Sequence, residues 1–257
     1  MEEYLEFAKD IALYAGKVIV KYFMEDCKPD YKADETVVSK ADTEINHYLI
    51  EKVKEKYPTH SVDGEEEQFG KSDFIWVCDP VDGTNVYVRH IPVAVFSLAL
   101  VINGVPEVGV VFDPFTNSLF TAIKGKGAYR NDKPIHVNDI ELNDMKSTSH
   151  FDAWPDSDYD ISNALLELGK VTHFLSIGSV VRASMCVAHG DFNVAIFPGT
   201  KHKNCDIAAA KIIVEEAGGR VTDLFGNEQR YDQDINGAVI SNGLVHSQVI
   251  ESLKYLK

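Results

Sequence analysis

The sequence predicts a mixed α+β fold whose second half changes to an α/β pattern, and two observations carry this prediction. Between Phe74 and Tyr129, short β-rich runs are separated by Gly, Asn, Asp and Pro turn signals. After residue 160, segments with helical spacing alternate with short apolar runs that are typical of strands. The first half therefore predicts a meandering, largely antiparallel sheet with helices on one side, and the second half predicts an α/β layer.

Two amphipathic helices precede the predicted sheet. Apolar residues recur at steps of three and four through residues 2–25, which predicts one long helix. A second helix is predicted to begin at Asp42 or Thr43 and to end before Pro58. The strands that follow are predicted at Phe74–Cys78, Val95–Val101, Glu107–Phe112, Leu119–Ile123 and Gly127–Arg130.

Two dipeptides in this region are typical of tight hairpin turns. Asn103-Gly104 and Asn131-Asp132 each stand shortly after a predicted β-rich run. Asn, Asp and Gly tolerate the left-handed backbone conformation that a two-residue hairpin loop requires. Strands that are neighbours in the sequence are therefore predicted to pair as antiparallel neighbours in the sheet.

The second half is predicted to form its own lobe. Residues 138–160 are polar and show little apolar periodicity, so we place a boundary there, between an N-terminal α+β lobe of residues 1–145 and a C-terminal α/β lobe of residues 146–257. The helices predicted beyond it lie near 161–169 and at 178–189, 206–217 and 245–256. The predicted strands lie at 171–175, 193–197, 220–223 and 237–241.

Composition limits the classes of partner. With 40 acidic and 25 basic residues the net charge is −15, which disfavours binding to a nucleic acid polymer because its phosphates are contacted mainly by Lys and Arg. No apolar run is long enough to cross a membrane, and the acidic start MEEYLEFAKD is unlike a signal peptide. Four scattered cysteines are typical of reduced thiols. We therefore expect a cytoplasmic protein without a membrane or nucleic-acid partner.

The most informative segment is Asp79-Pro80-Val81-Asp82-Gly83-Thr84, which follows a predicted buried strand. Hard cations such as Mg²⁺ prefer oxygen ligands and commonly combine one or two carboxylates with phosphate oxygens. A glycine directly after the carboxylates lets backbone N–H groups approach such a phosphate. The segment predicts a metal and phosphate site, and the alternative is a polar turn between two elements.

Three more acidic residues stand at positions where a carboxylate can enter a cleft. Glu65 follows Gly64 at the end of a short run, although a solvated charge run in a loop is the alternative. Asp42 and Asp206 each stand at the start of a predicted helix, where N-capping is the ordinary role. A helix N-terminus keeps a carboxylate ionised, which also suits a metal ligand.

Other hydrolase signatures are absent from the sequence. None of the nine histidines forms an H-x-x-x-H or H-E-x-x-H spacing, which disfavours a zinc hydrolase. There is neither a G-x-S-x-G segment nor a Walker sequence. Cys205 stands beside Asp206, where we interpret it as a packing residue rather than a reactive thiol.

Taken together, five segments carry a resemblance to a known family. They are Val38-Ser39-Lys40-Ala41-Asp42, Gly64-Glu65-Glu66, Trp76 through Thr84, Gly125 through Asp132, and Asp206-Ile207-Ala208-Ala209 followed by Glu216-Ala217-Gly218-Gly219. In order and spacing they resemble the motifs of the inositol monophosphatase family, within the lithium-sensitive phosphatase superfamily that includes fructose-1,6-bisphosphatases. The family signature W-x-x-D-P-[IL]-D-G-T is matched with Val81 in place of Ile or Leu.

This resemblance implies a layered αβαβα sandwich, a homodimer, inhibition by Li⁺, and Mg²⁺-dependent hydrolysis of a phosphate monoester by direct attack of a metal-activated water. Two or three Mg²⁺ ions per subunit are implied. The implied surroundings of the first ion are Glu65, Asp79, the Val81 carbonyl and Thr84, and those of the second are Asp79, Asp82 and Asp206. A third ion would share Glu65.

The same resemblance implies roles in catalysis and phosphate binding. Thr84, oriented by Asp42, and Glu65 would position and deprotonate the attacking water. The implied phosphate and substrate contacts are Gly83, Thr84, Asp82, Gly178, Ser179 and Lys201, with Lys32 near the entrance. Gly178 and Ser179 have the alternative reading of a plain helix start.

Substrate choice stays open at this point. Inositol-selective members carry a glutamate seven residues before the last aspartate, and this chain has Gly199 there, followed by a basic loop that includes Lys201. The loop is either a solvated surface or a contact for a second phosphate, as in fructose 1,6-bisphosphate or adenosine 3′,5′-bisphosphate. The leading hypothesis is a phosphatase that acts on inositol monophosphate or a related sugar phosphate. The alternatives are a bisphosphatase, a histidinol-phosphate phosphatase, and a catalytically silent protein that binds a phosphorylated ligand.

Overall fold

A computed structural model describes residues 1–25, 30–31, 37–152, 157–199 and 204–254. The predicted contacts Lys32 and Lys201 lie outside these residues. The described chain forms seven helices and fifteen strands, and its two larger sheets alternate with layers of helices.

The N-terminal elements are two helices and a short ribbon. They are α1 (Glu2–Met24), β1 (Asp30–Tyr31), β2 (Val37–Val38) and α2 (Lys40–Lys56). The long first helix is confirmed, whereas α2 begins two residues before the predicted start. Ser39 is its N-cap, and Asp42 stands at the third helical position, where its carboxylate accepts from the Ser39 amide at 2.8 Å. Although α1 has 23 residues, neither it nor any other described helix is long and apolar enough to cross a membrane.

The first large sheet has eight strands in the order β10-β9-β8-β7-β6-β5-β3-β4. Its strands are β3 (Ser61–Gly64), β4 (Gln68–Phe69), β5 (Phe74–Asp82), β6 (Val95–Ile102), β7 (Val105–Asp113), β8 (Ser118–Ile123), β9 (Ala128–Arg130) and β10 (Lys133–Pro134), and the short helix α3 (Thr84–Tyr87) follows β5. All neighbours pair antiparallel except β3 and β5, which run parallel. Both predicted hairpin turns are confirmed, because Asn103, Gly104, Asn131 and Asp132 all have positive φ.

The second large sheet has five strands in the order β12-β11-β13-β15-β14. Its elements in chain order are β11 (Thr148–Phe151), α4 (Ser162–Leu168), β12 (His173–Phe174), α5 (Val180–Ala188), β13 (Val194–Phe197), α6 (Cys205–Glu216), β14 (Arg220–Thr222), β15 (Ala238–Ser241) and α7 (His246–Leu253). Strand β11 lies inside the polar stretch where no element was predicted, and it pairs with both β12 and β13.

The layers follow an αβαβα order, which confirms the predicted fold class. Helices α1 and α2 share one core with the first sheet, and α4 and α7 share another with the second sheet. Helices α5 and α6 lie between the sheets, since their core includes Val77 and Val95 of the first sheet and Ala195 and Ile240 of the second. The first half supplies helices on one side of the first sheet, as predicted, and the second half supplies the layer on its other side. The division at residue 145 stays a prediction.

Candidate active site

Strand β5 does not end at Cys78 as predicted but continues through Pro80 to Asp82. Asp79 pairs with Ser97 and Asp82 pairs with Val95, so three steps along β5 lie opposite two steps along β6. This extra residue is a β-bulge, and Pro80 is tolerated there because a bulge releases the ladder hydrogen bond that proline cannot donate. As a result Asp79 and Asp82 project from the same face of the sheet.

Helix α6 brings a third carboxylate to that face. Asp206 is its second residue, preceded by Asn204 as the N-cap. One oxygen of each of Asp79, Asp82 and Asp206 lies within 4.8 Å of the others, and all three side chains are buried. Burial, and then the negative charge of Asp206, raise the pKa of Asp82 well above its usual value. The three carboxylates repel one another when all are ionised, and a divalent cation would offset this repulsion. Hard cations prefer such oxygen ligands.

Asp82 and Gly83 connect this carboxylate group to helix α5. The Ser179 hydroxyl and the Val181 amide both donate to Asp82 Oδ2, the latter at 3.2 Å. Gly83 has φ 88°, and a Cβ placed on it would lie 3.0 Å from the Gly178 carbonyl oxygen. The predicted substrate residues Gly178 and Ser179 therefore lie directly beside the end of β5.

The oxygens of Val81 and Thr84 lie next to each other, since the Thr84 hydroxyl donates to the Val81 carbonyl at 2.9 Å. Asp42 instead accepts from the Ser39 amide and hydroxyl through Oδ2. Its other oxygen is buried and has no hydrogen-bond partner among the residues described. Burial, followed by the charge of Glu65, raises the pKa of Asp42 to about 7.

Glu65 comes directly after β3. Its amide donates to the Cys78 carbonyl at 3.1 Å, which places its backbone beside the residue that precedes Asp79. Within the described ranges, the close carboxylate group consists of Asp79, Asp82 and Asp206, without Glu65. The negative charge of Glu65 contributes to the raised pKa of Asp42, so the two carboxyl groups influence each other.

Asn46 is a buried polar residue that the sequence analysis missed. Its side-chain amide binds the backbone of the turn that begins at Glu65. The one signal for it was its position four residues after Asp42, which places both side chains on one face of α2.

A second missed group is the buried pair of His150 and Asp152, whose Nε2 and Oδ1 atoms are 2.8 Å apart. The other ring nitrogen of His150 lies 3.1 Å from the Leu175 carbonyl oxygen and accepts from the Ile177 amide at 3.2 Å. The pair thereby fixes the segment that leads into Gly178. No signal pointed to it, because β11 itself was not predicted.

The chain is similar over nearly its whole length to proteins of a known family. The sequence profile described as the inositol monophosphatase family matches residues 1–256. Inositol monophosphatase 1 from Solanum lycopersicum is 32% identical over 266 residues, which cover 99% of this chain and 96% of that protein. A Thermotoga maritima protein named fructose-1,6-bisphosphatase/inositol-1-monophosphatase is 32% identical over 219 residues, which cover 84% of this chain and 81% of that protein.

The fold agrees as well. The solved structure of an IMPase from Thermotoga maritima matches with a TM-score of 0.87 at 27% identity, covering 98% of this chain and 97% of that one. The family match extends over nearly the whole chain, which also carries a buried acidic cluster that could hold a metal ion. The chain therefore belongs to the inositol monophosphatase family and is a phosphoric monoester hydrolase.

Proposed function

We propose that the protein hydrolyses inositol monophosphate or a related sugar phosphate with Mg²⁺ as its cofactor. The observation that carries the proposal is the approach of three buried carboxylates, Asp79, Asp82 and Asp206, within 4.8 Å. Mg²⁺ suits this set because it prefers oxygen ligands and is commonly bound by few carboxylates together with substrate phosphate. Because the protein is acidic, the bound metal would supply the positive charge that attracts the substrate phosphate.

The residues that would hold the ions fall into two groups. Glu65, Asp79, the Val81 carbonyl and Thr84 would surround the first ion, and Asp79 and Asp82 would join Asp206 around the second. The 2.9 Å separation of the Val81 carbonyl and the Thr84 hydroxyl supports their sharing one ion. When bound, Mg²⁺ neutralises phosphate charge and lowers the pKa of a coordinated water. A third ion would share Glu65.

The chain's own residues would then orient the phosphate and the water. The Gly83 and Thr84 amides would donate to phosphate oxygens, since Gly83 permits a close approach of the backbone. Thr84, oriented by Asp42, and Glu65 would position the attacking water and accept its proton. The buried, unpartnered oxygen of Asp42 supports its part in this chain.

No protein nucleophile enters the proposed reaction. The water oxygen would form a bond to phosphorus while the ester P–O bond breaks. The departing alcohol oxygen takes the electron pair and then a proton. The products are inorganic phosphate and the free alcohol.

A bisphosphatase is the second candidate. The residue that supports this alternative is Gly199. At this position the family's inositol-selective members place a glutamate. Gly199 has φ 83°, and a Cβ there would lie 3.2 Å from both the Gly237 amide nitrogen and Asp158 Oδ2. A glutamate would therefore be strained here. The Thermotoga maritima relative named for both activities supports the same alternative.

Phosphate release from inositol 1-phosphate, before and after metal removal, tests the proposal. We expect activity with added Mg²⁺, none after chelation, and a loss of at least about 100-fold for Asp79→Asn, since even outer-shell residues of metal sites contribute 10- to 100-fold. Asp223→Asn is the matched control, because Asp223 is also a buried carboxylate but directly follows β14 of the second sheet. Full activity of Asp79→Asn would contradict the metal assignment.

A substrate panel separates the two candidates. Inositol 1-phosphate, fructose 1,6-bisphosphate, adenosine 3′,5′-bisphosphate and histidinol phosphate would be compared at equal Mg²⁺. A higher kcat/KM for inositol 1-phosphate supports the first proposal. A higher value for either bisphosphate supports the second, and no release from any of the four would contradict both.

We also propose that the enzyme is a cytoplasmic homodimer. Strand β12 lies at the edge of the second sheet. Its residue Phe174 and the following Leu175 are 45% and 48% exposed, which supports a protein contact there. The described cysteines, Cys78, Cys186 and Cys205, are free thiols, which fits a reducing compartment. Light scattering coupled to gel filtration would test the dimer, and a monomer at micromolar concentration would contradict it.

A further inference from the structure

Asn46 makes three hydrogen bonds to one turn. Its Oδ1 accepts from the Glu66 amide at 3.2 Å and from the Glu67 amide at 3.3 Å. Its Nδ2 donates to the Glu67 carbonyl at 3.0 Å. The Asn46 side chain has no exposed surface, so these bonds form without competition from solvent. They fix the backbone of the two residues that follow Glu65.

Gly64 provides the space for this contact. A Cβ placed on Gly64 would lie only 2.1 Å from Asn46 Oδ1. The backbone of Gly64 does not have positive φ, so its side-chain-free surface is what the position requires. The Asn46 side chain therefore packs against Gly64, which precedes Glu65, and binds the backbone of the two residues that follow Glu65.

We infer that Asn46 is a positioning residue that holds the Glu65 carboxylate in its metal-binding orientation. This inference rests on the proposed function, since it takes Glu65 as a ligand. The Glu65 backbone is fixed on one side because its N–H group donates a hydrogen bond to the Cys78 carbonyl at 3.1 Å. Asn46 fixes the chain on the other side, so the side chain of Glu65 leaves a backbone that is held at both ends.

An amide suits this position better than a carboxylate. Unlike an ionised carboxylate, an amide both accepts from two N–H groups and donates to a carbonyl. Asp42 lies one turn earlier on α2 and is already buried near Glu65 and Glu66. A further negative charge at position 46 would repel these groups, whereas the neutral Asn46 orders the turn without adding charge.

Metal binding by the metal-depleted protein tests the inference. Mn²⁺ serves as the probe, because the electron paramagnetic resonance signal of free Mn²⁺ reports the bound fraction directly. Asn46→Ala, Gly64→Ala and the double variant would be titrated, and thermal unfolding without metal would be recorded for each. Val53→Ala is the control, because Val53 is buried on the same helix and packs in the core of α1 and α2.

We expect Asn46→Ala and Gly64→Ala each to weaken Mn²⁺ binding by about tenfold, the range seen for outer-shell residues of metal sites. The double variant should be no worse than Asn46→Ala alone, since both changes break the same contact. Val53→Ala should lower the unfolding temperature and leave Mn²⁺ affinity unchanged. If Asn46→Ala and Gly64→Ala behave like Val53→Ala, the residue is only structural and the inference is wrong. If the wild type binds no Mn²⁺, the proposed function fails and the inference fails with it.

Discussion

Asn204 donates from Nδ2 to Asp63 Oδ2 at 2.9 Å, which joins two residues 141 positions apart. Asp63 lies on β3 two residues before Glu65, and Asn204 lies two residues before Asp206 at the start of α6. The same Asn204 amide also donates to the Tyr231 carbonyl at 2.9 Å. One side chain therefore sets the distance between the strand that leads to Glu65 and the helix that carries the third carboxylate.

We predict that Asn204→Ala weakens metal binding and lowers the stability of the protein. The change leaves the Asp63 carboxylate and the Tyr231 carbonyl without this donor, a loss of about 1–3 kcal/mol in the free energy of unfolding. Mn²⁺ affinity should fall as well, because the start of α6 is no longer tied to β3. Titration of Asn204→Ala, Asp63→Ala and the double variant would measure their coupling. Strictly additive effects would show that the bond does not connect the two halves of the site.

Replacing Asp82 should separate stability from activity. In the metal-free protein, burial and the charge of Asp206 raise the pKa of Asp82, so its ionised form is costly at neutral pH. We expect metal-free Asp82→Asn to be more stable than the wild type by about 1–2 kcal/mol, although phosphate release should fall by more than about 100-fold, since even outer-shell residues contribute up to that factor.

Differential scanning calorimetry with and without Mg²⁺ would measure this effect. Mg²⁺ should raise the unfolding temperature of the wild type and have little effect on Asp82→Asn. Asp223→Asn serves again as control, because Asp223 accepts from the Phe225 and Asn227 amides and its replacement should give no gain in stability. An Asp82→Asn variant that is less stable than the wild type without metal would contradict the predicted repulsion.

The chemistry of the site was predictable because its residues are concentrated in short segments. Asp79 and Asp82 lie together in one motif, and Asp206 opens a helix with a recognisable pattern. Their presence on one face was not predictable, because it depends on a bulge that appears only when β5 pairs with β6. A strand of regular alternation would have placed residues three apart on opposite faces.

Other features could not be predicted for a related reason, since they too depend on contacts between distant parts of the chain. Strand β11 contains Ser149 and His150, both fully buried, so it lacks the apolar pattern by which strands are detected. Asn46 resembled any polar helix residue, since its partners are backbone groups of a distant turn. The helix layer between the sheets comes from the second half of the chain, so the first half alone predicted helices on one side only.

The metal-free protein should lose stability as pH rises. The pKa of Asp42 in the folded protein is raised to about 7 from its usual value of 3.8. The folded state therefore holds this proton more tightly than the unfolded state. Its contribution to stability is complete below about pH 4 and is lost as pH rises toward 7, with an upper limit of about 4 kcal/mol at 1.36 kcal/mol per unit.

Urea unfolding of the chelated wild type and of Asp42→Asn between pH 4 and 8 would reveal this contribution. Asn at position 42 keeps an acceptor for Ser39 but does not titrate. The free energy of unfolding of the variant, minus that of the wild type, should increase steadily from pH 4 to 7. A difference that stays constant with pH would show that Asp42 titrates normally in the folded protein.

A side chain at Gly83 should disrupt the contact between β5 and α5. Gly83 has φ 88°, and an added Cβ would lie 3.0 Å from the Gly178 carbonyl oxygen and 3.1 Å from Ser179 Cβ. Gly83→Ala therefore combines backbone strain of about 1–2 kcal/mol with a displacement of the residues that bind Asp82.

Gly125→Ala is a matched control, because Gly125 has φ 77° and nothing within 4 Å of its added Cβ. Both variants should lose similar stability through strain, but only Gly83→Ala should lower kcat/KM, by about 100-fold, as expected for a misplaced substrate-positioning group. Equal kcat/KM in the two variants would show that the contact between Gly83 and Gly178 has no part in catalysis.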